Sequence, residues 1–474
     1  MQNLLTIAKD EWRFWFRSKL ALWGIGVFAV LLIATGVLTG VETQHAEHDR
    51  LEHQMAAEER FLTQPARHPH RMVHYGHYVF RAPAPLAVID PGLDAVTGQS
   101  MFLEGHRQNS AAFADTGASA NLGGFSSLTP ALVYQLFGPL LLVLCGYGSV
   151  VRERESGTLP TLLLQGVSGG QLLLGKWLAL LMLALVLLAP LLLVGSVAES
   201  LSVALVLTGV YLVYFAVWAA AIVFLSTALR SRATVLATAT AMWVVVCLLI
   251  PSMAVDAVSG GSSEAGKIQT ELAMLTDLRK LGDGHNAADP AFASMRANLL
   301  AQYDVDRIED LPVNFRGVVA SYSEEKLTAT LNQYAQTRLG GEAHQAQRLG
   351  RFGWLSPALA VAASSRAIAA TDIAHYHRFL EEAEALRFQF VQRLNNIHAE
   401  KLLYQVDINR SNNEASSARA RVSAENWKVL DEFRFVPAGL TPRVKAAMPT
   451  MTILAAWLTL FVIVLAMAGR RLKP

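Results

Sequence analysis

Four consecutive charges, Arg152-Glu153-Arg154-Glu155, followed by Ser156-Gly157-Thr158-Leu159, interrupt an apolar stretch of this 474-residue chain. Charges so placed must lie in water, and the sequence resumes with Leu162, Leu163 and Leu164 as though lying along a membrane surface. A short charged helix at the junction of two membrane spans can receive mechanical work. The segment therefore reads as a docking element for a soluble partner.

Histidine is the other residue type whose placement invites chemistry. All 13 lie in two long polar insertions: His45, His48, His53, His68, His70, His74, His77 and His106 in the first, and five more in the second. His45 with His48, and His74 with His77, have the i, i+3 spacing that chelates a divalent ion when helical. No Cys or Met ligand set accompanies them, so a structural or pH-sensitive surface is the plainer reading and no metal is expected. Cys145 and Cys247 fall inside apolar runs and read as packed thiols, without disulfides.

One phosphate-binding pattern fails on inspection. Gly170 and Gly175-Lys176 have the G-x-x-x-x-G-K spacing, but Trp177 stands where a Ser or Thr must reach magnesium, and no strand precedes the loop. The glycines are expected to let the loop bend back into the bilayer, with Lys176 snorkelling at the interface. No other stretch resembles an ATP site, so any energy source lies on another polypeptide.

The elements that must position these residues are mostly membrane spans. With 53% hydrophobic and 16% charged residues, the chain is too apolar for an ordinary soluble protein and too charged to be all membrane. Runs of about 20 apolar residues, enough to cross a bilayer, fall at 20–41, 129–151, 177–198, 203–225, 233–255 and 449–468. Lys9, Arg13, Arg17 and Lys19, then Arg152, Arg154 and Lys176, then Arg230 and Arg232, then Arg470, Arg471 and Lys473 all fall on one side. That side is expected to be cytoplasmic, with both termini there. A tight turn at Glu199 and the insertions 42–128 and 256–448 face the other way. Arg443 and Lys445 are exceptions to the charge rule.

The first span reads as a retained anchor, since its apolar run exceeds a signal-peptide core and no cleavage site follows Gly40. Before it, Leu4, Leu5, Ala8, Trp12, Trp15 and Phe16 recur at helical spacing, with Lys9, Arg13 and Arg17 in a second row. Residues 1–19 are thus expected to be an interfacial helix, with Arg13, Arg17 and, at the third span, Lys176 at the membrane interface.

This arrangement, with Glu153-x-Glu155-x-Gly157-Thr158-Leu159 between spans two and three and Gly175-Lys176 at the entry to the third, resembles the permease subunits of type 2 ABC transporters. His74-Tyr75-Gly76-His77-Tyr78-Val79-Phe80-Arg81, Pro83, Pro85, Asp90-Pro91-Gly92 and Glu104-Gly105-His106-Arg107-Gln108-Asn109 resemble a subfamily carrying a domain of unknown function, DUF3526. Leu355-Ser356-Pro357, Thr371-Asp372, Phe379 and Arg387 support that likeness. The resemblance implies an all-α polytopic protein of a bacterial inner membrane, with six spans and two large, mainly helical extracytoplasmic insertions. It implies that residues 152–176 form a coupling segment in which Glu153, Glu155, Gly157, Thr158 and Leu159 meet a cytosolic ATPase. ATP and magnesium would sit on that partner, this chain would bind no cofactor and catalyse nothing, and a second permease copy or paralogue would complete a dimer.

In the second insertion Tyr376, Phe379, Ala383, Leu386, Phe390, Leu394 and Ile397 follow a 3–4 spacing, with Thr371 or Asp372 as cap. A long amphipathic helix is expected, its charged face solvated. The first insertion is richer in Pro, Gly and His and less regular, with 42–62 continuing as a helix above the first span.

The span interiors hold no Asp, Glu, Lys, Arg or His, which argues against an ion path. Tyr134, Gln135, Tyr147, Tyr211, Tyr214 and Trp218 remain as candidates to line an amphiphile path or a dimer face, with packing as the plain alternative. Three functions stay open: ATP-driven export or rearrangement of an amphiphile, ATP-driven movement of a periplasmic protein partner without transport, and a metal- or ligand-sensing receptor. Membrane lipids are expected neighbours, and nucleic acid is not.

Overall fold

The computed structural model describes residues 2–111, 128–259, 266–282, 284–427 and 433–472; Lys473 lies outside them. Among the described residues six helices are long and apolar enough to cross a membrane: Leu20–Leu62, Pro130–Glu155, Gly169–Ala198, Leu201–Ala228, Arg232–Ser259 and Leu440–Arg471, here spans 1 to 6. The chain is a helical, multi-pass membrane protein. Spans 3, 4 and 5 each begin at a serine, Ser168, Ser200 and Ser231, whose hydroxyl accepts a backbone N–H three residues on. Span 6 starts well before Pro449, which sits inside the helix rather than at its first turn.

Burial orders the bundle. Span 4 is its axis, with 72% of its most apolar window buried, against 17% for spans 1, 5 and 6. Span 3 and span 6 touch backbone to backbone, since a Cβ on Gly169 would stand 2.3 Å from the Gly469 carbonyl oxygen. Spans 2 and 5 each contain one turn of π-helix, Val133–Phe137 and Val245–Leu249. Such a turn frees carbonyls that hydrocarbon cannot satisfy. Side chains of the neighbours supply the missing donors: the Tyr214 hydroxyl bonds Gln135 O at 2.8 Å, Trp243 Nε1 bonds Leu136 O at 2.9 Å and the Ser356 hydroxyl bonds Val246 O at 2.6 Å.

Span 1 is one unbroken 43-residue helix. At 1.5 Å per residue it is about 65 Å long, roughly twice a hydrocarbon core, so its second half rises into the insertions as the sequence leads one to expect. The two insertions fold as one unit. Helix Pro69–Tyr75 and an antiparallel hairpin, β1 (His77–Phe80) with β2 (Ser100–Leu103), come from the first. They pack on helix Ile373–Lys401 of the second through Phe61, Met72 and Val73 against Phe390, Val391 and Leu394, and through Val79, Met101 and Leu103 against Phe379 and Ala383. Asp372 caps that helix.

The described residues are almost wholly helical, as expected, and the hairpin is their one two-stranded sheet. One expectation needs correction. The charged face of Ile373–Lys401 is solvated only in part: Glu381, Glu382, Arg393 and Glu400 are exposed, but helix Phe315–Arg351 covers the rest and leaves Arg387 fully buried between Glu384 and Glu324. A charged stripe is tolerated inside when its members neutralise one another, which spacing alone does not reveal.

Part of the second insertion lies against the spans. Helix Pro357–Ala369 joins the same apolar core as spans 4 and 6 through Ala360, Val361 and Ile368. Arg443, an exception to the charge rule, is 2% exposed and bonds Glu199 at 2.8 Å and the Ile368 carbonyl at 3.1 Å. It is neutralised at the turn between spans 3 and 4.

Candidate functional site

The charged segment closes span 2 at the end of the bundle opposite the insertions. Helix Val151–Glu155 ends at Ser156, Gly157 turns in the left-handed region at φ +73°, and helix Thr158–Leu164 leaves in a new direction. An L side chain at that φ is strained by about 1–2 kcal/mol, so the reversal explains the glycine. The Thr158 hydroxyl bonds Glu153 Oε2 at 2.6 Å and ties the second helix back to the first.

Each of the four charges has a separate structural partner. Arg154 donates to the carbonyls of Thr227 at 2.7 Å and Leu229 at 2.6 Å, closing the carboxyl end of span 4. Glu155 accepts the backbone N–H of Arg232 at 2.8 Å and pairs with its side chain, a carboxylate at the amino end of span 5. Arg152 lies over the Phe14 ring at 3.8 Å and bonds Glu11 at 2.6 Å. Glu153 pairs with Lys176 at 3.0 Å. The Ser226 hydroxyl accepts the N–H groups of Val150 and Val151 at 2.9 and 3.0 Å, fixing the base of the segment to span 4.

At the centre are Glu11, 1% exposed, and Lys176, 3% exposed, in direct contact. Glu11 comes from helix Gln2–Arg17, whose Ala8, Glu11 and Trp15 form the buried face, while Lys9, Arg13 and Arg17 are exposed as an interfacial helix requires. Gly175 makes the approach possible, since a Cβ there would stand 2.7 Å from Ile7. Lys176 thus does not snorkel to the interface. It is one of two cations, with Arg152, that neutralise Glu11 and Glu153 in a quartet whose Glu11 and Lys176 are buried and whose Arg152 and Glu153 are half-buried. Residues 169–198 are continuous helix from a serine cap, so Gly170, Gly175 and Lys176 form no phosphate loop. Ser156, Gly157, Thr158, Pro160, Thr161 and Leu164 remain exposed, while Leu159 is buried.

The aromatic residues expected to line a passage or dimer face are packing residues in this structure. Tyr134, Gln135, Tyr211, Tyr214 and Trp218 are buried within the single chain, and Tyr147 is half-buried. Gln135 donates to Tyr211 at 3.0 Å, Tyr211 to Ser365 at 3.1 Å and Ser365 to Asp90 at 2.5 Å, a line from span 2 through span 4 into both insertions.

The histidines sort differently from their sequence pairs. His45 and His48 are exposed on span 1's extension and join no cluster of potential ligands among the described residues. His74 and His77 part company, because helix Pro69–Tyr75 ends at Gly76 (φ +69°) and His77 opens β1, buried against Phe61 at 4.9 Å. His74 instead gathers with His70, His106 and His285. Burial first, then the neighbouring rings, push His70 down to about 2, so its ring is neutral. A second cluster, His68 and His398 on either side of Asp407 at 3.0 Å each, is closed by Arg410. There burial raises the Asp407 carboxyl, but the two histidine bonds outweigh it and hold it well below the usual range.

With the geometry in place, comparison with known proteins adds one finding. Residues 267–436 match the family described as Domain of unknown function (DUF3526). No curated protein and no solved structure matches. The DUF3526 segment contains both long insertion helices and Pro357–Ala369. Within it Ser356 and Pro357 start the helix that reaches the spans, Thr371 bonds the Asp90 carbonyl at 3.0 Å, and Phe379 and Arg387 are fully buried. The first-insertion stretches from His74 to Arg81, Asp90 to Gly92 and Glu104 to Asn109 lie outside the match, although they form the surface on which it packs.

Glu11, Ser226, His70, His106 and His285 escaped sequence reasoning as site residues. For Glu11 a signal existed: Lys176 begins an otherwise uncharged run and needs a counterion, and Glu11 shares a face with Ala8 and Trp15.

Proposed function

We propose that this chain is the membrane subunit of a type 2 ABC transporter, driven by a separate cytosolic ATPase that docks on the segment from Glu153 to Leu164. The observation that carries the reading is the junction itself. Its outer surface, Ser156 to Thr158 and Thr161, is exposed, while its base is bonded to helix Gln2–Arg17 and to spans 3, 4 and 5. Force applied there reaches four elements at once. The clustering of Lys9, Arg13, Arg17, Arg230 and Arg470 at the same end supports a cytoplasmic location for it, which leaves the insertions facing a periplasm.

Export or rearrangement of an amphiphile fits spans whose central apolar runs hold no Asp, Glu, Lys, Arg or His. The mechanical alternative, movement of the insertions against a periplasmic partner, is favoured by the line Gln135–Tyr211–Ser365–Asp90, which links the bundle to both insertions. Both share one motor and one second membrane subunit. The test is charge reversal at Glu155 together with Thr161→Arg, followed by purification from native membranes in mild detergent. Loss of a copurifying ATPase with the chain still folded is expected; retained ATPase association and ATP-dependent function would sink the assignment.

A further inference from the structure

We infer that His70, His74, His106 and His285 form a binding site for one divalent transition-metal ion, Zn2+ foremost, where the two insertions meet. The inference is independent of the transporter reading.

The four rings are disposed as a tetrahedron. Their six pairwise centroid separations are 4.8, 5.8, 5.0, 5.1, 5.8 and 4.9 Å, so each ring is nearly equidistant from the other three. A Zn–N bond of about 2.0–2.1 Å puts each imidazole centroid about 3.2 Å from the metal and the centroids about 5.2 Å apart, with nitrogens about 3.3 Å apart. His70 Nε2 and His74 Nε2 are 3.2 Å apart. Candidate ligand atoms from all four residues lie within 4.8 Å of one another.

The ligands are held by devices that a mere surface cluster would lack. His70 and His74 share one face of helix Pro69–Tyr75 at i, i+4. His106 follows β2 in the left-handed region at φ +65°, a conformation disfavoured in a residue with a Cβ. Gly105 before it lies so close to Val73 that a Cβ would stand 2.1 Å from Cγ1, and Gly284 before His285 would meet Ser323 at 2.7 Å. Both loops are thereby pressed toward a common point.

The orientation of His106 is the second, independent sign. Its Nδ1 bonds Glu324 at 2.9 Å, which leaves Nε2 buried without a hydrogen-bond partner among the described residues. A carboxylate on one ring nitrogen with the other turned to a metal is the usual outer-shell arrangement for ligating histidine. Glu324 is fixed in turn by Arg387, itself held by Glu384 and Thr328. Four imidazoles in a tetrahedron suit Zn2+ and its spectroscopic substitute Co2+ better than ions preferring square-planar or all-oxygen sites. Three ligands come from the first insertion and His285 from the DUF3526 segment, so the ion would staple one to the other.

The experiment is titration of the full-length chain, purified in detergent and stripped with chelator, with Co2+ and then Zn2+. One equivalent of Co2+ is expected to develop the intense visible bands of a tetrahedral ion, which Zn2+ then bleaches. His285→Ala, on an exposed loop, is expected to weaken Zn2+ binding more than tenfold. Glu324→Gln is expected to weaken it about 10–100-fold, and His45→Ala with His48→Ala to change nothing. Absence of a saturable tetrahedral spectrum in the parent chain, or affinity in His285→Ala equal to that of the parent, would overturn the site.

Discussion

Lys176 Nζ stands 3.0 Å from Glu153 Oε1, joining the start of span 3 to the end of span 2, and the same ammonium contacts Glu11 of the amino-terminal helix. Lys176, expected at the membrane interface, and Glu153, expected on the docking segment, thus form the keystone of a largely buried junction. Its four charges sum to zero, which is what permits burial, and removing any one leaves an uncompensated charge.

Lys176→Met is therefore expected to destabilise the chain by about 3–5 kcal/mol, because Glu11 stays buried beside a missing partner. Thermal unfolding in detergent measures it. Adding Glu11→Gln should recover part of the loss, and strict additivity of the two substitutions would show that the contact carries no coupling.

Gly157→Ala probes the turn. The left-handed φ of +73° makes this substitution cost about 1–2 kcal/mol locally, with open space around the new methyl. The spans should melt almost as before while ATP-dependent function falls. Unchanged function would mean that the angle between Val151–Glu155 and Thr158–Leu164 does not matter to the proposed docking of an ATPase.

The spans were legible from hydropathy because a bilayer demands long uncharged runs, whatever packs beside them. The amphipathic stripe from Phe379 to Ile397 was legible for the same reason, as one periodicity meets one apolar surface. What escaped was every feature made by residues far apart in the chain. The partner of Lys176 is 165 positions away, and the ligand-like cluster around His74 draws on His106 and His285. Local spacing proposed His77 instead, and Gly76 sends that residue into a strand. The charged face of Ile373–Lys401 misled because Arg387 buries as readily as it solvates once Glu324 and Glu384 face it.

Asp407 gives a pH dependence with a definite sign. Its carboxyl is lowered in the folded chain, so its contribution is complete above the ordinary carboxylate value of about 3.8 and is lost as pH falls below it. His68 is likewise lowered, burial being the largest cause, so the unfolded chain takes up that proton first and stability declines from about pH 6.5 downward. Unfolding temperature should fall in two stages on acidification, and Asp407→Asn should diminish the lower one, to which Glu324, lowered to about 2, also contributes. A profile flat from pH 7 to 3 would contradict the arrangement.

Tyr211→Phe removes the hydroxyl between Gln135 and Ser365. It is expected to destabilise the chain by about 1–2 kcal/mol and to weaken transmission to the insertions, read as the change in their protease protection when ATP is added to native membranes. Identical protection changes in variant and parent would remove the line from the account.

The most direct test of the central claim is a photo-crosslinking residue at Thr161, exposed on the short helix, in native membranes, with Leu403 of the insertions as control site. A crosslink is expected from position 161, and none from 403, to a polypeptide that carries an ATP-binding cassette. Crosslinks from 161 to lipid alone, or to the ATPase from 403 instead, would contradict it.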